Sequence, residues 1–142
     1  MATQIFVNLP VKDLKRSMDF FTQLGFTFNT QFTDETAACM VIADNIYAML
    51  LTHDKFKQFT PKEVADSHKT TEVLTCISVE SKDNVNELTD KALSAGGTQV
   101  REPEDYGFMF SRSFNDPDGH IWEVVWMDMC QMPEEQVEQE KV

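Results

Sequence analysis

One succession of patterns occurs twice in this chain, and it limits the fold more than any other feature. The first copy opens with "IFVNLPV", an extended β-rich run with Pro10 near its end, where a proline is tolerated. "KDLKRSMDFFTQLGF" then changes period: Leu14, Met18, Phe21 and Leu24 fall at helical spacing, with Asp13 as N-cap and Gly25 as the stop. Three β-like segments follow, "FTFNTQF", "AACMVIA" and "IYAMLLT", the last two a hairpin around Asp44-Asn45. The second copy begins at "VLTCISV". Its helix, "SKDNVNELTDKALSAGG", places Val85, Leu88, Ala92 and Ala95 on one face, with Ser81 or Asp83 as cap and Gly96-Gly97 as stop. "TQVRE", "FMFSRSF" and "HIWEVVW" complete it, the last turn being Asn115-Asp116-Pro117-Asp118-Gly119.

The order is therefore βαβββ twice, with Val11 and Val79 at equivalent places. A spacing of roughly 70 residues is too long for a solenoid unit. The pattern predicts an α+β domain: two βαβββ repeats forming a curved, cleft-enclosing mixed sheet with helices outside. A single domain spans 1–130, with repeat one over about 3–53, a polar connector over about 54–70 anchored by Phe56 and Phe59, and repeat two over about 71–128. Residues 131–142, with four glutamates against one lysine, read as an acidic flexible tail.

The whole-chain numbers remove several classes of partner. Of 142 residues, 42% are hydrophobic and 25% charged, ordinary for a globular domain. The formal net charge of −12 argues against nucleic acid and against an anionic membrane surface, both of which call for clustered Lys and Arg. No apolar run approaches the roughly 18 residues of a membrane helix. The N-terminal stretch reads as a strand rather than a secretory signal, so a cytoplasmic protein is expected. Cys39, Cys76 and Cys130 are odd in number and lack metal-clip spacing; Cys39 and Cys76 read as small buried hydrophobes and Cys130 as near the exposed end. His53, His68 and His120 are scattered and read as surface or turn residues.

"NDPDGHIWEVVW" raises the chemical question. Its strand is apolar except for Glu123, and a carboxylate is costly to bury unless something pairs with it. Taken with "NLPVKDLKRSMDFFTQLGF" in the opposite repeat, this stretch resembles the closing signature of the vicinal oxygen chelate superfamily, which includes glyoxalases, extradiol dioxygenases, and fosfomycin- and bleomycin-resistance proteins. The resemblance covers about residues 3–128. It implies a divalent ion held by one His, Gln or Glu from the first and last strand of each repeat. Carried over by motif, those positions are Phe6, Met49, Leu74 and Glu123. Three of the four are apolar, and a lone carboxylate does not hold an ion that takes three or more N or O ligands. A one-residue slip turns every side chain to the other face and offers only Ile5, Val7, Ala48, Leu50, Val73 and Thr75. A slip of two adds Glu72. No metal and no cofactor are expected.

Strand alternation gives the expected cleft lining: Phe6 and Asn8 from the first strand; Tyr47, Met49 and Leu51 from the fourth; Leu74 and Cys76 from the fifth; and Glu123 with Ile121 and Val125 from the last. In "FMFSRSF", either Phe108, Phe110 and Arg112 or Met109, Ser111 and Ser113 point inward. The first set is favoured, and it brings Arg112 toward Glu123 as a charge partner. Trp122 and Trp126 alternate away and are expected to pack under the helices. The function this supports is capture of a cationic or aromatic small molecule without a metal. Glu123 as the general base of a glyoxalase-type lyase or isomerase is the alternative, and a dimeric structural module with a vestigial site is a third. The resemblance also implies a homodimer whose cavities are completed or flanked by the partner chain.

Overall fold

In a computed structural model, which describes residues 2–128 and 130, the doubled βαβββ order is present as read. Strand β1 (Ile5–Val11) leads into helix α1 (Leu14–Gln23), then β2 (Thr27–Asn29), β3 (Ala37–Ala43) and β4 (Ile46–Thr52). A short helix α2 (His53–Lys57) opens the connector. The second copy runs β5 (Leu74–Ser78), α3 (Lys82–Ser94), β6 (Thr98–Gln99), β7 (Glu104–Asp105), β8 (Met109–Asn115) and β9 (Ile121–Met127). The strands hydrogen-bond as two mixed sheets. One has the order β1-β4-β3-β2; the other has β5-β9-β8-β6, with β7 also on β8. In each, the first strand pairs parallel to the last, as a βαβββ unit requires when its helix crosses over.

The caps explain where the helices begin and end. Asp13 accepts the Arg16 amide at 3.1 Å and starts α1. Ser81, not Asp83, caps α3 by accepting the Asn84 amide at 3.0 Å. Gly25 and Gly96 follow the helices at φ 104° and 112°, the left-handed conformation in which glycine has no side-chain penalty. Two expected strands are shorter than their sequence. "FTFNTQF" is strand only to Asn29, whose side chain caps a 3₁₀ turn over Thr30–Phe32. "TQVRE" breaks after Gln99 and pairing resumes at Glu104, leaving Arg101 in the gap.

The inner faces of both sheets meet in one core. Leu9, Val11, Ala48 and Leu50 come from the first sheet; Phe114, Trp122 and Val124 come from the second. Phe20 and Phe21 of α1 and Val85 and Ala92 of α3 fill the space between, and the two helices touch. Phe21 and Trp122 pack edge-on at 5.2 Å, so the first repeat's helix seats on the second repeat's last strand. Trp122 is buried under the helices as expected, and Trp126 packs against the same core. Because both sheets turn their helix-covered faces toward one core, their other faces point outward.

The turn Asn115–Gly119 ties the halves together. The Asp118 carboxylate accepts the Lys12 amide at 2.8 Å and the Ser17 hydroxyl at 3.0 Å, at the start of α1. Asp116 accepts the amides of Asp118 and His120 and, at 3.1 Å, the indole N–H of Trp122. Burial pushes its carboxyl pKa up, against the pull of His120 and these donors. The acidic residues of this motif are therefore structural. No helix among the described residues is long and apolar enough to cross a membrane.

Candidate functional site

Glu123 stands on the outward face of the second sheet. Its register partners are Cys76 on β5 and Ser113 on β8, and residues paired across a sheet share a face. Arg101 reaches over from the gap between β6 and β7. Its Nη2 donates to Glu123 Oε2 at 2.5 Å, its Nε to Glu104 Oε1 at 3.0 Å and its Nη1 to Ser113 Oγ at 3.4 Å. Tyr106 donates its hydroxyl to the other Glu104 oxygen at 2.9 Å. The break in the second strand of this repeat is what makes the arrangement, since a continuous strand would carry Arg101 in a ladder instead of across the face.

The charges in this cluster stabilise each other. Hydrogen bonds to Glu123 and then Glu104 raise the Arg101 pKa further. Arg101 and then Tyr106 hold the Glu104 carboxyl below its usual range, and Glu104 in turn raises the Tyr106 phenol. Partial desolvation of the thiol where it lies on the sheet, followed by the charge of Glu123, raises the Cys76 pKa, which disfavours the nucleophilic thiolate. Two carboxylates against one guanidinium leave the cluster net negative.

The outward face of the first sheet has different chemistry. Phe6 and Tyr47 stack with ring centroids 4.7 Å apart and planes 9° from parallel. Asn8 lies opposite Met49 one pair further along, and its amide turns back to donate to the Phe6 carbonyl at 3.2 Å. Phe6 is 46% exposed on this face, and Leu74, on β5 of the other sheet, is 57% exposed.

Of the residues expected to line one cleft, Phe6, Asn8, Tyr47 and Met49 lie on the outward face of the first sheet, and Leu74, Cys76 and Glu123 on that of the second. Two placements are corrected. Phe110 and Arg112 pair with Trp126 and Val124, so they lie on the helix-covered face. There Arg112 donates to Asn86 and Asp90 of α3, both at 2.9 Å. The set Met109, Ser111 and Ser113 faces outward with Glu123, and Arg101 is the charge partner that Arg112 was expected to be. A second correction concerns Cys76, which is exposed rather than buried; Cys39 is buried and Cys130 exposed, as expected. Arg101, Glu104 and Tyr106 were missed. The signal available was the dense polar run "REPEDYG", which fits a continuous strand poorly.

These residues do not fit a divalent ion. Three of the four positions that the resemblance assigns to ligands carry Phe6, Met49 and Leu74, and the fourth is engaged by a guanidinium. Among the described residues, no group of three or more His, Cys, Asp or Glu side chains converges as ligands would.

Comparison with known proteins agrees with this architecture. The profile of the Glyoxalase/Bleomycin resistance protein/Dioxygenase superfamily matches residues 4–124. A hypothetical protein from S. aureus is 26% identical, with a TM-score of 0.75 over 89% of this chain and 95% of that one. A glyoxalase/bleomycin resistance protein/dioxygenase family enzyme from Burkholderia phytofirmans PsJN is 17% identical, with a TM-score of 0.73 over 89% and 99%. A fosfomycin resistance protein from Mesorhizobium loti is 11% identical, with a TM-score of 0.66 over 92% and 97%. At such identities these last two show the fold alone. No curated protein gives a significant match.

Proposed function

The chain belongs to the Glyoxalase/Bleomycin resistance protein/Dioxygenase superfamily, and from that premise we propose that it binds a small organic cation with an aromatic or apolar body, without a divalent metal. The observation that carries this reading is the pairing of Glu123 with Arg101 on an outward sheet face. A carboxylate held by a guanidinium is a poor metal ligand and a poor general base, because either role needs its lone pairs free. It remains a fixed negative centre, reinforced by Glu104, beside the exposed ring of Tyr106. An aromatic face beside carboxylates suits a cation.

The apolar wall such a site needs is on the other repeat. The Phe6–Tyr47 stack and Met49 face outward from the first sheet, with Phe6 about half exposed. Outward-turned apolar faces of this kind mark interaction surfaces. We therefore expect a homodimer in which the first sheet of one protomer covers the Glu123 face of its partner. The three free cysteines suit a reducing, cytoplasmic compartment.

A thermal-shift screen against aromatic amines and quaternary ammonium compounds tests the reading. Hits on the wild type that disappear in Glu123→Gln are expected. Stoichiometric, tightly held metal after a metal-supplemented preparation would overturn it. So would turnover of the methylglyoxal–glutathione hemithioacetal that is lost in Glu123→Gln, since that identifies a lyase. For the assembly, light scattering is expected to give a dimer mass that falls to a monomer in Phe6→Glu; a wild-type monomer would remove the shared site.

A further inference from the structure

We propose that the seam between the two repeats holds a separate small-molecule site that takes a zwitterion with an apolar side chain, in the simplest case a free α-amino acid. The seam contains a cavity of about 330 Å³ between the free edge of β1, the start of β9 and the connector that follows α2. That is the low end of the range for small-molecule pockets, so it has room for one compact ligand. None of Glu123, Arg101, Phe6, Tyr47 or Met49 lines it.

The cavity is held open by specific contacts. His120 uses both ring nitrogens: Nε2 lies 2.7 Å from the Pro10 carbonyl and Nδ1 lies 3.1 Å from the Ser67 hydroxyl. The carbonyl only accepts, so Nε2 carries a hydrogen and, in the neutral ring, Nδ1 accepts from Ser67. Gly119 has φ 85°, and a Cβ there would sit 2.8 Å from the Ser67 backbone. The connector is thus clamped onto the turn by the absence of a side chain at Gly119 and by the His120 bridge. These contacts join the end of β1, the connector and the start of β9, which are the three walls of the cavity.

The lining has two kinds of surface. Phe56, Pro10 and Ile121 supply apolar area, and Lys62, Glu63 and Glu72 supply charge. None of these three charged groups forms an ion pair with another described residue. Opposite charges around one cavity that do not neutralise each other match a ligand carrying both signs. A simple anion would meet two carboxylates, and a simple cation would leave Lys62 unmatched. An amino acid satisfies both, with its carboxylate toward Lys62, its ammonium toward Glu63 and Glu72, and its side chain on Phe56 and Ile121.

Titration calorimetry with three probes of one shape tests this: L-phenylalanine, 2-phenylethylamine and 3-phenylpropionate. L-phenylalanine is expected to bind at least about tenfold more tightly than either single-charge analogue, the loss of one charged hydrogen bond. Lys62→Met is expected to weaken L-phenylalanine about tenfold and leave 2-phenylethylamine unchanged. Glu72→Gln should weaken both amines and spare 3-phenylpropionate. All three probes are also titrated against Glu123→Gln, in which the outward face no longer offers its carboxylate to 2-phenylethylamine and only the seam is read; L-phenylalanine and 3-phenylpropionate should bind it as they bind the wild type. Failure of L-phenylalanine to bind, equal binding of all three probes to Glu123→Gln, or L-phenylalanine binding lost in Glu123→Gln overturns the proposal; the last would assign the ligand to the outward face instead. The three side chains changed here, Lys62, Glu72 and Glu123, lie outside the core, so the variants are expected to fold.

Discussion

The two outward sheet faces descend from the same βαβββ pattern yet carry opposite chemistry. The first offers a stacked aromatic pair, Met49 and an inward-turned amide, with no charge among them. The second offers Glu123, Arg101, Glu104 and Tyr106 in one hydrogen-bonded cluster. On their helix-covered sides the sheets are alike, because both feed a single core. Constraint therefore lies on the buried side, where a change in volume is felt by both repeats. The outward side is free to diverge, and one repeat became an apolar wall while the other became a charged one. The structural origin of the difference is the broken strand of the second repeat, which releases Arg101 to cross the face.

Four substitutions test this division. The largest effect is expected at the shared core. Trp122→Ala removes the ring on which Phe21 rests and should destabilise the protein by about 3–5 kcal/mol in urea unfolding. If repeat one kept its stability in that variant, seen as an early and a late unfolding step, the core would not be shared. Asp118→Ala comes next, at about 2–3 kcal/mol, because the Lys12 amide and the buried Ser17 hydroxyl lose a charged acceptor. An unchanged unfolding midpoint would mean that the turn does not tie the halves.

Changes on the outward faces should cost less. Phe6→Ala loses the stack with Tyr47, worth about 0.5–1.5 kcal/mol in urea unfolding. An unchanged unfolding midpoint would mean that the stack adds nothing to the first face. Arg101→Met should affect stability least, since the guanidinium is substantially exposed and surface pairs contribute little. Its effect is in titration. Glu104 has its folded pKa lowered below 4.5, so its pairing adds stability above that value and loses it as pH falls through the depressed folded pKa. Carboxyl chemical shifts of Arg101→Met should therefore show Glu104 rising toward the ordinary range. An unmoved Glu104 would contradict the cluster.

Much of the fold was legible because local rules act alone there. Asp13 and Ser81 cap their helices through side chains three residues from the amides they accept. Gly25 and Gly96 stop them through backbone freedom. Alternation placed Trp122 under the helices and Glu123 on the other side, since period two holds wherever a strand is unbroken. The same rule left two choices for β8, and the choice favoured from sequence was the wrong one. A sheet's two faces look alike in an amphipathic strand such as "FMFSRSF", where aromatics and polar groups occupy both registers. What settled it was the cross-strand pairing of Arg112 with Val124 and the presence of Asn86 and Asp90 on α3 to receive the guanidinium.

By itself the sequence determined the doubled βαβββ unit, the extents of its two long helices, and the apolar character of Phe6, Met49 and Leu74. The first two follow from periodicity and capping, which act within a few residues; that Phe6, Met49 and Leu74 stand at metal-ligand positions is what the resemblance implies. Only the tertiary structure decided which charge meets Glu123, which way the two outward faces point, and how the connector closes a cavity against β1 and the Asp116–His120 turn. Each of those depends on contacts between segments distant in the chain, as in the 22-residue reach from Arg101 to Glu123. No local pattern encodes such a contact, because it exists only after both repeats have packed on one core.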